Sequence, residues 1–158
     1  MDALDLAILR ALQQDGRRAN ADLAREFGVA PSTILERVRS LEQRGVITGY
    51  RALIDPAAVG LGAQALISVT LAYDQIDAVD LFHESVRGIP EVRACHGIAG
   101  RYDYIMDVVA KDIDHLRDCL NTTITTIPTP LKTETFIVLG EVKKDSGVPL
   151  DSIEADPR

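Results

Sequence analysis

No run of 18 apolar residues occurs anywhere in the chain, so no segment is long and apolar enough to cross a bilayer as a helix. The opening stretch, residues 1–16, has no basic n-region and no small-residue cleavage site, and is not expected to act as a secretory signal. Cysteine is scarce. Cys95 and Cys119 are too few for a disulfide scaffold and are not spaced as zinc ligands, so two ordinary thiols in a reduced, cytoplasmic protein are expected. Without a secretory route, the glycosylation triplet at Asn121 carries no weight. His83, His96 and His115 are far apart, and Cys95 and His96 alternate across a strand and point to opposite faces. No metal and no cofactor are expected. Nucleophile elbow, phosphate loop and paired-carboxylate constellation are all missing, so no catalytic residue is assigned and the chain is not read as an enzyme.

Net positive charge is lacking too. The formal charge is −7, which by itself argues against nucleic acid, but the distribution matters more than the sum. Residues 17–51 hold seven arginines against four acids, a local excess of +3. Beyond residue 51 the chain has nine basic residues and 17 acids, a balance of −8. Lysine is absent from the first 51 residues. Arginine's planar fork suits bidentate contact with phosphate and guanine. A +3 patch is modest, so two or more copies are expected to bind together.

What is present is a soluble globular composition, 46% apolar and 26% charged. Its 158 residues suffice for one ordinary domain or two small ones. Leu4, Ile8 and Leu12 recur at four-residue spacing and predict a helix over about 3–14. Asn20 is the expected N-cap of a short second helix carrying Leu23, Ala24 and Phe27 inward, and Gly28 breaks it. After Gly28-Val29-Ala30, Pro31 opens a third helix with Ile34, Val38 and Leu41 on one stripe. Gly45 suits its C′ position. Ala30 has no side chain with which to cap it. Such a rod is roughly 20 Å long, enough to lie in a major groove. Helix, three-residue turn, helix is the helix-turn-helix arrangement, in which the second helix enters that groove. Residues 46–54 then read as two short strands around Thr48-Gly49, a β-wing.

The second half alternates strand and helix. Residues 63–72 carry Ala65, Ile67, Val69 and Leu71 on one face. Helix 76–87 shows Val79, Phe82 and Val86; strands follow at 91–98 and 102–110 around a Gly100-Arg101 turn. Ile113, Leu116, Leu120 and Ile124 mark a helix ended by Pro128, and 132–142 forms the last strand. This β-α-β-β-α-β order is the ferredoxin-like unit, a four-stranded antiparallel sheet with both helices on one face. Apolar residues at both parities of several strands imply a second covered face, for which a second copy is the expected cover. The fold class is therefore α+β: a winged helix-turn-helix domain (1–55, helix-turn-helix about 20–44), a linker (56–62), a ferredoxin-like domain (63–145) and a polar, mobile tail (146–158).

The run from Leu4 to Gly60 resembles the DNA-binding domain of the Lrp/AsnC (feast/famine) transcriptional regulators. CHGIAGRYDYIMDVVAKD, from Cys95, resembles that family's effector domain with its G-x-x-D-Y turn, and TETFIVLGEVK resembles its last strand. The resemblance is collinear over about 3–143. It implies a transcriptional regulator that dimerises through the second domain, often assembles into octamers, and binds an effector, usually an amino acid, near the G-x-x-D-Y turn. Two departures stand out. Ala30 replaces the usual serine or threonine, which bears on phosphate contact at the helix start. Ile127-Pro128-Thr129-Pro130 replaces a common Gly-Val pair.

For double-stranded DNA, Ser32, Thr33, Leu35 and Glu36 are the base-edge candidates, since the first turns of a recognition helix sit deepest. Glu36 suits cytosine N4 and Leu35 a thymine methyl. Arg37 and Arg39 are read as phosphate clamps, with Asn20 and Arg51 as further contacts. The simpler reading is a solvated helix face. For the effector, Asp103 offers an acceptor for an ammonium and backbone N–H groups around Gly100 offer donors for a carboxylate. Tyr104, Thr133 and Thr135 complete the candidate set; the simpler reading is a hairpin turn with a surface acid. Gly97-x-x-Gly100 matches the KH-domain motif but lies between strands, not helices, and is set aside. Two other functions fit the architecture: a DNA-compacting protein without effector, and an enzyme resembling the sirohaem decarboxylases, for which His96 and His115 would have to serve.

Overall fold

A computed structural model describes residues 1–72, 77–124, 127 and 131–154. The chain divides into two compact units, Met1–Leu53 with Lys143–Arg158, and Ile54–Val142.

In the first unit, α1 (Ala3–Gln14), α2 (Asn20–Phe27) and α3 (Pro31–Gln43) surround one apolar core. Ile8, Leu9 and Ala11 of α1, Leu23 and Ala24 of α2, and Ile34, Val38 and Leu41 of α3 are its buried members. Asp2 caps α1 by accepting from the Asp5 N–H at 2.9 Å. Gly28, at φ 68°, takes the left-handed conformation that turns the chain from α2 toward α3. Helix α2 starts one residue earlier than the sequence suggests. Ala19 is its N-cap, and Asn20 is already helical and makes no capping bond. Neither α2 nor α3 has a side-chain cap.

The expected wing is not formed, for residues 46–54 contain no strand. The Val46 and Ile47 N–H groups both bond to the Leu41 carbonyl, at 2.9 and 3.2 Å. Their hydrogen-bonding capacity therefore closes the end of α3. Tyr50 turns back on the same unit, donating to Glu42 at 3.1 Å.

The second unit has the order β1 (Ala63–Leu71), α4 (Ala78–Arg87), β2 (Val92–Gly97), β3 (Tyr104–Ala110), α5 (Ile113–Cys119) and β4 (Leu131–Ile137). The strands form one antiparallel sheet, ordered β2-β3-β1-β4. Alternation along β1 sends Ala65, Ile67, Val69 and Leu71 into a core shared with Phe82 and Val86 of α4 and Leu116 and Cys119 of α5. Both helices therefore cover the same face. On the other face Leu66 and Phe136, paired across β1 and β4, remain 40% and 46% exposed. After Cys119 the helix widens into a π turn, Leu120–Ile124, where the Thr122 hydroxyl donates to the Asp118 carbonyl at 2.7 Å. Pro128, expected to end this helix, and the proline-rich departure around it lie outside the described residues, apart from Ile127.

The tail expected to be mobile is instead laid along α1 through its described part. The Gln13 amide donates to the Val148 carbonyl at 2.9 Å and accepts from the Val148 N–H at 3.2 Å. Arg10 donates to the Leu150 carbonyl at 3.0 Å. Its Nε faces Asp151 at 2.8 Å but off the N–H axis, a charge contact rather than a hydrogen bond. Leu150 packs against the three-helix core. One primary amide satisfies both backbone groups of Val148, so a polar segment finds a seat that composition does not reveal.

Candidate DNA-recognition face and effector site

Helix α3 divides cleanly. Ile34, Val38 and Leu41 are buried, while Ser32, Leu35, Glu36 and Arg39 are exposed and Thr33 is half-buried. Leu35, 37% exposed, has no apolar partner cluster of its own. A leucine held in water by helical phase rather than by core demand suits apolar contact with a base methyl.

The arginines separate into two groups. Arg18 pairs with Glu26, and Arg25 with Asp22 at 3.1 Å. Arg37 pairs with Asp2 at 2.6 Å and with Asp5 at 3.2 Å. Arg17, Arg39, Arg44 and Arg51 are exposed and have no ion pair among the described residues. Arg37, expected as a phosphate clamp, is half-buried and engaged by two carboxylates. Arg39 stays available, and Arg17 and Arg44 join it. Pairing of this kind runs across 32 and 35 residues of chain, beyond any periodicity. Between α1 and α2, a shallow depression of about 580 Å³ is lined by Arg17, Arg18, Arg25 and by Asp15, Asp22 and Glu26. Its charges cancel, so it is not a strong anion site.

In the second unit, Asp103 knits the turn. Its carboxylate accepts from the Leu71 N–H at 2.8 Å, its N–H donates to the Val69 carbonyl at 2.9 Å, and its carbonyl accepts from Ile98 at 2.9 Å. The expected free acceptor is therefore partly committed to closing the end of β1. A carboxylate has about four acceptor positions, so acceptor capacity remains. Gly100 is exposed, with open space around its Cα. Tyr104 is half-buried, its ring 4.6 Å from that of Phe82 and its hydroxyl 2.9 Å from His83 Nε2. Burial pushes its phenol above the usual tyrosine range.

Register brings two of the candidates into one row. Tyr104 pairs with Val69, and Val69 with Thr133, so Tyr104 and Thr133 flank Val69 at about 10 Å, two strand spacings. Thr133 is half-buried; Thr135 is exposed and one row further on, opposite Ile67. On the opposite face the Tyr102 hydroxyl donates to the Glu134 carboxylate, which raises the Tyr102 pKa.

This arrangement has known counterparts. The AsnC-type helix-turn-helix domain matches residues 1–42, and the Lrp/AsnC ligand binding domain matches residues 64–148. The chain belongs to the Lrp/AsnC family. It is 35% identical over 144 residues to the leucine-responsive regulatory protein of Haemophilus influenzae, covering 91% of this chain and 87% of that one. The protein of the same name from Escherichia coli K12 is 34% identical over 146 residues, covering 92% and 89%. Among solved structures, a transcriptional regulator of Neisseria meningitidis in complex with L-methionine superposes with a TM-score of 0.91 at 32% identity, covering 96% and 97%. Escherichia coli AsnC gives 0.83 at 33% identity, covering 91% and 95%.

As an Lrp/AsnC member, the chain is an effector-responsive, DNA-binding transcriptional regulator and not an enzyme. Three features of its two sites escaped sequence reasoning. Arg17 and Arg44 are recognised as free only once the other arginines are seen paired. His83 had a legible signal: it lies four residues after Val79 and three before Val86, at the edge of the apolar stripe of α4. Its partner Tyr104 is 21 residues away, so the contact itself was not legible.

Proposed function

We propose that the chain is a cytoplasmic, homodimeric regulator, assembling further into an octamer, that binds specific duplex sites through α3 and is modulated by an amino acid. The observation that carries this reading is the division of α3. Three side chains anchor it, and Ser32, Leu35, Glu36 and Arg39 face solvent in one band. Ser32, Thr33, Leu35 and Glu36 read base edges, while Arg39, Arg17, Arg44 and Arg51 contact phosphate and fix register. Asn20, at the start of α2, contacts the backbone alongside them. Support for dimerisation comes from the sheet face that the helices leave open, where Leu66 and Phe136 stand paired and part-exposed.

The effector is seated at the Gly100–Tyr104 turn, with Asp103 taking the ammonium, backbone N–H groups at Gly100 taking the carboxylate, and Tyr104, Thr133 and Thr135 lining the remainder. Support for an amino acid comes from the relatives named as leucine-responsive and from the Neisseria regulator solved with L-methionine. A thermal-shift screen of the twenty amino acids tests this, because a ligand that binds only the native state raises the melting temperature. The expected result is a rise with at least one amino acid, together with a changed affinity for duplex DNA. If none raises the melting temperature while DNA binding persists, the chain is an architectural DNA-binding protein instead.

A further inference from the structure

Arg37 stands on α3 with its side chain 40% exposed and its guanidinium turned toward the start of α1. Asp5 is one of two buried polar residues among those described, at 4% exposure. A carboxylate in that setting needs a cation, and Arg37 supplies it. The same Nη1 atom reaches both Asp5 and Asp2. Asp2 is meanwhile the cap of α1. One guanidinium thus ties the middle of α3 to the first turn of α1. The cluster holds two carboxylates against one cation, so its formal charge is −1 where a phosphate would need it positive.

We propose that Arg37 is a positioning residue for DNA recognition: through Asp2 and Asp5 it sets the angle at which α3 presents Ser32, Leu35 and Glu36, and it does not contact the phosphate backbone. This rests on the reading of α3 as the recognition helix. Ile34, Val38 and Leu41 seat α3 on the core, and apolar contacts are not directional. An ion pair between named atoms is. Small rotations of α3 move base-edge contacts by more than hydrogen bonds tolerate, while phosphate contacts through long, mobile arginines adjust.

The test uses the full-length protein and a duplex selected by the wild type from a random library, against a mixed-sequence duplex. Failure of the wild type to enrich any sequence would overturn sequence-specific reading by α3, a different failure from that of Arg37. Affinities are measured below the melting transition of each variant, so a purely structural role leaves them unchanged. Arg37→Ala is expected to lower the ratio of selected to mixed-sequence affinity by about tenfold, the worth of one base-pair discrimination. The salt slope on mixed sequence should stay as in wild type. Asp2→Asn keeps a good cap but removes a carboxylate, and is expected to lower the same ratio. It also keeps the test decisive if Arg37→Ala does not fold. Arg37→Lys is expected to restore the ratio, because one nitrogen already serves both acids. The proposal is overturned if Arg37→Ala weakens both duplexes equally and flattens the slope by about 0.9, the signature of one lost phosphate contact. It is also overturned if Asp2→Asn tightens binding, as removal of a nearby acid would for a phosphate clamp, or if neither ratio nor slope moves.

Discussion

The two units build their candidate surfaces in opposite ways. In the first, the exposed candidates Ser32, Leu35, Glu36 and Arg39 lie within eight residues of one helix. In the second, His83 of α4 meets Tyr104 of β3 only through helix packing, and Thr133 of β4 joins the row of Tyr104 only through sheet register. A helix face is a local object set by a period of 3.6 residues. A sheet site is non-local, and its members are chosen by pairing. The same contrast governs charge. The first unit uses long-range ion pairs to engage Arg37, whereas the second leaves Leu66 and Phe136 side by side and part-exposed.

The sharpest way to break the comparison is to remove the second unit's core. Phe82 is fully buried and stacks beside Tyr104, so Phe82→Ala is expected to cost about 3–5 kcal/mol. Calorimetry should then show the first unit melting separately at its wild-type temperature; a single shifted transition would mean that the two units unfold as one. Next in size is the seat of the tail. Leu150→Asp places a charge against the three-helix core and is expected to lower the first unit's stability by about 2 kcal/mol. Faster amide exchange over residues 146–153, with the second unit unaffected, would show it.

Ala30→Ser sharpens the picture in the other direction. It supplies the missing cap of α3 and should stabilise the first unit by about 1 kcal/mol, read as a rise in denaturant midpoint at constant slope. The smallest effect is acidic. The Asp5 N–H, and then Arg37, hold the Asp2 carboxyl below its ordinary value of 3.8. A depressed folded-state pKa gives stability that is present above the unfolded value and lost as pH falls through the folded one. The first unit should therefore weaken below about pH 4, and Asp2→Asn should shed part of that dependence.

Reading the chain alone reached most of the fold because the periods were unambiguous. Helix α1 and the stripe Ile34, Val38, Leu41 follow from 3.6-residue spacing, and β1 from strict alternation. The wing was misread because β-branched residues around a glycine suggest strands, while the amides of Val46 and Ile47 had been claimed by the Leu41 carbonyl. Asn20 was misplaced by one residue because a good capping side chain does not oblige the helix to begin behind it. On α3 the exposure of Ser32, Leu35, Glu36 and Arg39 was legible, while Thr33 and Arg37 proved half-buried. The commitment of Asp103 to Leu71, and of Arg37 to Asp2 and Asp5, was not legible.

The sequence by itself determined the order of the main helices and strands, and which stripe of α3 is buried. Local backbone preference and apolar spacing are properties of neighbouring residues. Only the tertiary structure decided which charges are already satisfied, that Ser146 and Val148 lie against Gln13 and Leu150 packs on the helical core, and that Tyr104 shares a row with Thr133. Those outcomes depend on approach between residues distant in the chain. Coulomb attraction and hydrogen bonding act over a few ångströms of space, whatever the number of residues between the partners.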